Sequence, residues 1–158
     1  MTTLATRRPS ARTDSIPLVR ILITGTDDTG RSCATFHGAP TFSPLGERFA
    51  LAEVYSTGAP PGPRPVGHAQ HHDLALPAGA VRWILVDYEP GAETPHHHTD
   101  SVDFEVVLSG SVVLTLDDGP HELHAGDAVV MTGVDHTWKA GPEGCRISAV
   151  CLGTPPRR

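Results

Sequence analysis

Cysteine is scarce in this chain, cationic side chains are outnumbered, and no apolar run is long. Each shortage removes a class of protein. The three cysteines (Cys33, Cys145, Cys151) are odd in number and form no C-x-x-C spacing, which fits a reducing cytosol better than a secreted disulfide scaffold. Twelve Lys and Arg stand against eighteen Asp and Glu, a formal charge of −6 with neutral histidines. An acidic domain lacks the basic footprint that phosphate backbones require, so nucleic acid is not an expected partner. The arginines that gather do so at the ends, Arg7, Arg8 and Arg12 at one and Arg157 and Arg158 at the other. No apolar stretch approaches the ~20 residues that span a bilayer, and no apolar segment follows the early arginines as a secretory signal requires. The expected location is cytoplasmic, away from membranes. Ser-His-Asp, G-x-S-x-G, P-loop and G-x-G-x-x-G arrangements are also missing.

What the chain has in excess is punctuation. Sixteen glycines and fifteen prolines make up about a fifth of its 158 residues, well above average usage. The length gives one domain as the prior. Residues 1–16 (MTTLATRRPSARTDSI) have no periodicity and read as a flexible leader, leaving 17–153 as a single domain. From Leu18 onward short runs alternate with turn residues. Strands are expected at Leu18–Thr24, Arg31–Phe36, Arg48–Tyr55, Val81–Tyr88, Ser101–Leu108, Ser111–Leu116, His121–His124, Gly126–Met131, His136–Ala140 and Arg146–Leu152. Short strands at 8–12-residue spacing, without a helical period, indicate an all-β sandwich or barrel. The segment Gly58–Pro65 carries four prolines and is excluded from any central strand. With the His68–Leu76 stretch it forms a loop long enough to act as a cover over one barrel end.

Ten histidines are the one anomalous count, and six of them fall in two clusters. In an extended segment His96 and His98 point one way and His97 the other. Two imidazoles on one face can reach a single metal ion. The following strand opens with Asp103 and Glu105, again a same-face pair, with Phe104 and Val106 on the reverse. Such an N/O donor set suits Zn, Fe(II), Mn, Ni or Cu. Trp138, two residues beyond His136, is the better candidate for a pocket wall, whereas Trp83, Cys145 and Cys151 read as packing residues. His68, His71 and His72 are lid candidates, and His121 and His124 are expected on an exposed hairpin.

Gly91-x4-His96-x-His98-x4-Asp103-x6-Gly110, followed by Gly126-x6-Gly133-x2-His136, resembles the two motifs of the cupin superfamily, in particular a group of small single-domain bacterial cupins. The motifs span 91–110 and 126–140. The resemblance implies a double-stranded β-helix (jelly-roll) barrel with additional N-terminal strands, in which the ligands project inward. It adds His136 to His96 and His98 as nitrogen ligands of one divalent transition metal. Asp103 then stands as the carboxylate ligand and Glu105 as the acid/base, the two roles being interchangeable. His97 is a pocket residue that takes over as ligand if the similar proteins' single histidine aligns with it. The chain departs from the pattern in four places. Asp103 replaces the motif glutamate, Glu105 stands where the similar proteins tend to have glycine, the motif-two proline is absent, and Ala140 replaces its asparagine.

The function these residues imply is a metal-dependent enzyme acting on a small carbonyl, enol or aromatic molecule. Lewis-acid plus acid/base chemistry would give cyclisation, isomerisation, dehydration or decarboxylation. An Fe(II) dioxygenase is the first alternative and a non-catalytic small-molecule or sugar-binding barrel the second. A homodimer is the expected assembly, from the resemblance.

Overall fold

The computed structural model describes residues 19–44, 50–65 and 67–156. The expected leader (1–16), Leu18, Arg48, Phe49 and the C-terminal Arg157 and Arg158 lie outside the described residues. Among the described residues there are eleven strands: β1 (Ile21–Thr26), β2 (Ser32–Gly38), β3 (Ser43–Pro44), β4 (Ala50–Leu51), β5 (Gln70–His71), β6 (Val81–Tyr88), β7 (His97–His98), β8 (Ser101–Leu116), β9 (Gly119–His124), β10 (Ala128–Met131) and β11 (Thr137–Gly153). Seven belong to one sheet in the order β2-β1-β10-β8-β11-β6, with β9 paired to β8. β3 and β4 pair with each other, and β5 pairs with β7. This is an all-β jelly roll. Among the described residues no helix is long and apolar enough to cross a membrane.

Three segments differ from the sequence reading. The run expected from Arg48 to Tyr55 forms a described strand only at Ala50–Leu51. Ser101–Leu108 and Ser111–Leu116 are one sixteen-residue strand, and the seventeen residues of β11 run through the expected Gly141–Gly144 turn. In β8 and β11 glycines bend the strand without ending it.

The bend has a side-chain signature. Before Gly110 the inward residues of β8 are odd-numbered (Asp103, Glu105, Val107); after it they are even-numbered (Val112, Leu114, Leu116). β11 switches in the same way, from Trp138 and Ala140 to Cys145, Ile147, Ala149 and Cys151. The register shifts between Ala140 and Cys145 and between Arg146 and Ile147, as bulges require when a strand must turn a corner and keep its apolar side inward. Gly110 has φ 73° and Gly144 φ 74°, a region costly for residues with a Cβ. A Cβ on Gly110 would also land inside the Gly144 carbonyl, and one on Gly144 would sit 2.7 Å from the Tyr88 carbonyl oxygen.

Both arms of the bend feed one buried apolar cluster: Val107, Cys145 and Ile147 join Leu22, Val112, Leu114, Leu116, Leu123, Val129 and Ala140 in it. Trp138 belongs to that cluster and also lines a pocket beside it. β6 shows strict alternation: Ile84, Val86 and Tyr88 face the pocket. Val81, Trp83 and Leu85 point outward, Trp83 being 76% exposed. Trp83 is therefore not a packing residue of the barrel, and its Nε1 donates to Ser148 Oγ at 2.8 Å.

Candidate functional site

The pocket has a volume of about 320 Å³ and is lined from β6, β7, β8, β11 and the β5 segment. Its donors come from four directions: Asp103 and Glu105 from β8, His97 from β7, His136 just ahead of β11, and His71 and His72 from the 67–74 segment.

The histidine alternation is as the spacing dictates, but the inward member is His97. His97 and His136 form an isolated antiparallel bridge, with His97 N donating to His136 O at 3.0 Å and His136 N to His97 O at 2.9 Å. Residues directly opposite in such a pair carry their side chains on one face. Their rings accordingly stand 4.3 Å apart. Each ring donates from Nδ1 to a carbonyl two residues back, Pro95 O for His97 and Val134 O for His136, both at 2.8 Å. Since a carbonyl can only accept, the tautomer is set and each Nε2 keeps its lone pair. Burial, with the neighbouring His97, pushes His136 down to about 3. Burial likewise lowers His97. Both are neutral imidazoles at physiological pH.

His98 faces the other way. It is buried, with Nδ1 3.4 Å from Asp135 Oδ1, and its ring lies 5.2 Å from that of His71. His96 is exposed, although it is close enough to act electrostatically on both His97 and His136. The structure thus brings His97 to His136 and places His96 and His98 outside that pair. Among the described residues no three His, Cys, Asp or Glu side chains are arranged to hold a metal ion. The donor chemistry of His97 and His136 nonetheless fits a transition metal: two neutral imidazoles, each with its second nitrogen tied to a carbonyl, the arrangement that orients ligating histidines.

Asp103 and Glu105 share the inward face of β8, as expected. Burial raises Asp103, offset in part by hydrogen bonds with Ser101 and Cys151. Burial raises Glu105 well above the ordinary range, and the Asp103 charge adds to it. One oxygen of each, Asp103 Oδ1 and Glu105 Oε2, is buried without a hydrogen-bond partner. Burial, followed by the Asp103 charge, lifts the Cys151 thiol to about 12. Burial and then Glu105 raise Tyr88.

Two residues escaped the sequence reading. Tyr88 continues the inward series Ile84, Val86, and only that alternation marks it. Asp135 precedes His136 as His98 follows His97, so one bridge sets two pairs, His97 with His136 inward and His98 with Asp135 behind. Asp135 also accepts the backbone N–H groups of His68 and of Ala69, the latter at 3.0 Å. A Cβ on Gly67 would collide with the same carboxylate. Burial pushes Asp135 up, but those amides outweigh it and hold the group below the usual range. Parallel pairing of β5 with β7 and a bond from His72 N to His98 O at 2.8 Å complete the attachment. Of the three lid candidates, His71 and His72 line the pocket, whereas His68 is held through its backbone N–H by Asp135 and is not part of the lining. Asp135→Ala should leave the barrel folded while residues 67–74 become cleavable by protease several-fold faster. Unchanged cleavage would show that Asp135 does not fasten this segment.

Residues 84–151 match the cupin domain family. The chain carries a cupin domain. Among curated proteins it is 43% identical over 67 residues to phomopsin biosynthesis cluster protein C′ of Diaporthe leptostromiformis, covering 42% of this chain and 35% of that one. It is 33% identical over 126 residues to the cupin-domain-containing oxidoreductase fogC of Aspergillus ruber, covering 73% of this cupin and 61% of its relative. It is 39% identical over 66 residues to the dimethylsulfoniopropionate lyase DddW of Ruegeria pomeroyi, covering 40% and 43%. This cupin therefore spans about a third to three fifths of the length of these relatives.

Proposed function

We propose that this cupin is a metal-dependent enzyme that moves a proton on a small organic substrate held in the β-barrel pocket. The observation that carries the reading is the pairing, in one pocket, of two neutral imidazoles fixed to present Nε2 with two carboxyl groups on one strand face, both raised by burial and Glu105 further by the Asp103 charge. A binding site gains little from such a pair, whereas proton transfer near neutral pH needs a carboxyl with a raised pKa. The names carried by two relatives, an oxidoreductase and a lyase, support an enzyme.

His97 and His136 would hold the ion through Nε2. A divalent transition metal there supplies Lewis-acid polarisation of a substrate oxygen. The rest is done by the chain. Glu105, kept protonated by burial and by Asp103, holds the proton to be delivered and takes it back afterwards. Trp138 and Tyr88 wall the substrate, and the 67–74 segment limits water at the mouth. The name oxidoreductase on the Aspergillus ruber relative favours a second reading, oxygen chemistry at a bound iron.

Elemental analysis of untagged protein tests the reading. Wild type is expected to bind about one zinc, iron, manganese, nickel or copper per chain, and His136→Ala to lose it while keeping its circular dichroism spectrum. Metal retained at full occupancy in His136→Ala would remove the pair as its holder. Stoichiometric iron would favour the oxygen-dependent reading over the Lewis-acid one.

A further inference from the structure

The outer face of the seven-stranded sheet is closed along one half and bare along the other. Residues opposite one another in neighbouring strands share a face, so Phe104, Val150 and Trp83 make one outward row across β8, β11 and β6. Val106, Ser148 and Leu85 make a second row, and Leu152 and Val81 belong to a third. Toward β10 and β1 the face is closed: Val130, opposite Phe104, and Ile21, opposite Ala128, are both buried. Toward β6 it is open. Val81 and Leu85 are 65% and 64% exposed beside the still barer Trp83, and Phe104, Val106 and Leu108 are exposed as well. These six leave on the order of 600 Å² of apolar side chain in solvent, the top of the range for the largest patch on a monomer. It is most of the ~800 Å² that each partner of a standard interface buries.

We propose that a second copy of this chain covers the open half, the two faces stacked across a twofold axis that runs close to Trp83. The polar groups of the face are already spent inside the chain. The indole N–H of Trp83 is bonded to Ser148 of the next strand, which fixes the ring and leaves it no polar need that water must meet. Arg146 and Asp87, the charged pair beyond Ser148 and Leu85, hold each other through two bonds. These rows therefore offer no unpaired charge to an acidic peptide, a phosphate or a lipid headgroup. A twofold contact needs a surface that complements itself, and neutral apolar rows do so. Two sheets of equal twist stack face to face about 10 Å apart. The reverse of β6 carries Ile84, Val86 and Tyr88 of the pocket wall, so the contact would also brace one side of the pocket.

Sedimentation equilibrium of the full chain, loaded from about 1 to 100 μM, tests it. Wild type should be a dimer at the upper end of that range. Leu85→Asp and Trp83→Asp should each raise the dissociation constant by at least about 100-fold, because twofold symmetry buries the new carboxylate twice. Trp83 is also its own reporter. Acrylamide should quench it weakly in the dimer and strongly after dilution, over the constant background of the buried Trp138. A wild type that is monomeric throughout overturns the proposal. So does a dimer that survives both substitutions in variants that keep their circular dichroism spectrum, since its interface then lies elsewhere. If neither variant folds, quenching of wild type decides, and a dimer with Trp83 as accessible as in the monomer rejects this face. A monomer with Trp83 shielded would give the face to a segment of the same chain, which also overturns the second copy.

Discussion

Glu105→Gln should slow proton transfer to a bound substrate, followed in D2O by proton NMR, by about 10²–10⁴-fold relative to wild type. Metal content should be unchanged. Glutamine keeps the shape and the hydrogen-bonding capacity of the side chain but cannot carry the proton. The competing account makes Glu105 a support for the metal centre. Under it the variant would lose metal affinity by about 10–100-fold, and activity would return when metal is added in excess. A metal titration of the variant separates the two, and full rescue would refute the acid/base role. The same substitution has a second, independent consequence. The folded-state pKa of Glu105 lies above its ordinary value, so over the interval between the two the folded state binds more protons than the unfolded state. Stability conferred by the protonated carboxyl is present at low pH and declines as pH rises through that interval. Glu105→Gln removes the penalty. Its denaturation midpoint should match wild type near pH 4 and exceed it as pH rises above the ordinary carboxylate range. A constant offset at all pH values would contradict the raised pKa.

Gly110→Ala should be the most destabilising single methyl in the barrel. A Cβ at a positive φ costs roughly 1–2 kcal/mol by itself. Here it must also displace the Gly144 carbonyl, which belongs to the backbone and cannot rotate away. A total on the order of 4 kcal/mol is expected, near the top of the range for point substitutions and a large part of the 5–15 kcal/mol of a typical domain. Gly126 is the control, since its φ is 96° but nothing lies within 4 Å of an added Cβ. Gly126→Ala should show the conformational penalty alone. Urea denaturation of both variants makes the comparison, and equal losses would mean that the crossing of β8 and β11 tolerates an extra atom.

The punctuation of the sequence was enough for the architecture. Strands such as Val81–Tyr88 match the structure residue for residue, because each lies between turn residues that close it. The long strands were misread as pairs, since Gly110 and Gly141–Gly144 look like turns to any local rule. Only the pairing of β8 with β11 across the bend keeps them continuous. The site shows the same division. That Asp103 and Glu105 share the inner face is a property of one strand and was legible. Which histidine faces inward is decided by the bridge to His136, a long-range contact, and the alternation of His96, His97 and His98 supplies no absolute phase. Asp135 was invisible for that reason too, since its partners His68, Ala69 and His98 are all distant in the chain.

The continuity of β8 and β11 sets where this molecule can open. Each strand runs from the apolar plug to the carboxyl pair, so the amides around Asp103 and Glu105 share one hydrogen-bonded ribbon with Leu114 and Trp138. Amide exchange on that ribbon should need global unfolding, at both ends alike. The 67–74 segment, held by a two-residue strand pair and the Asp135 carboxylate, should exchange orders of magnitude sooner. Ligand entry then draws on a local opening of this flap while the walls that carry the acidic groups stay closed.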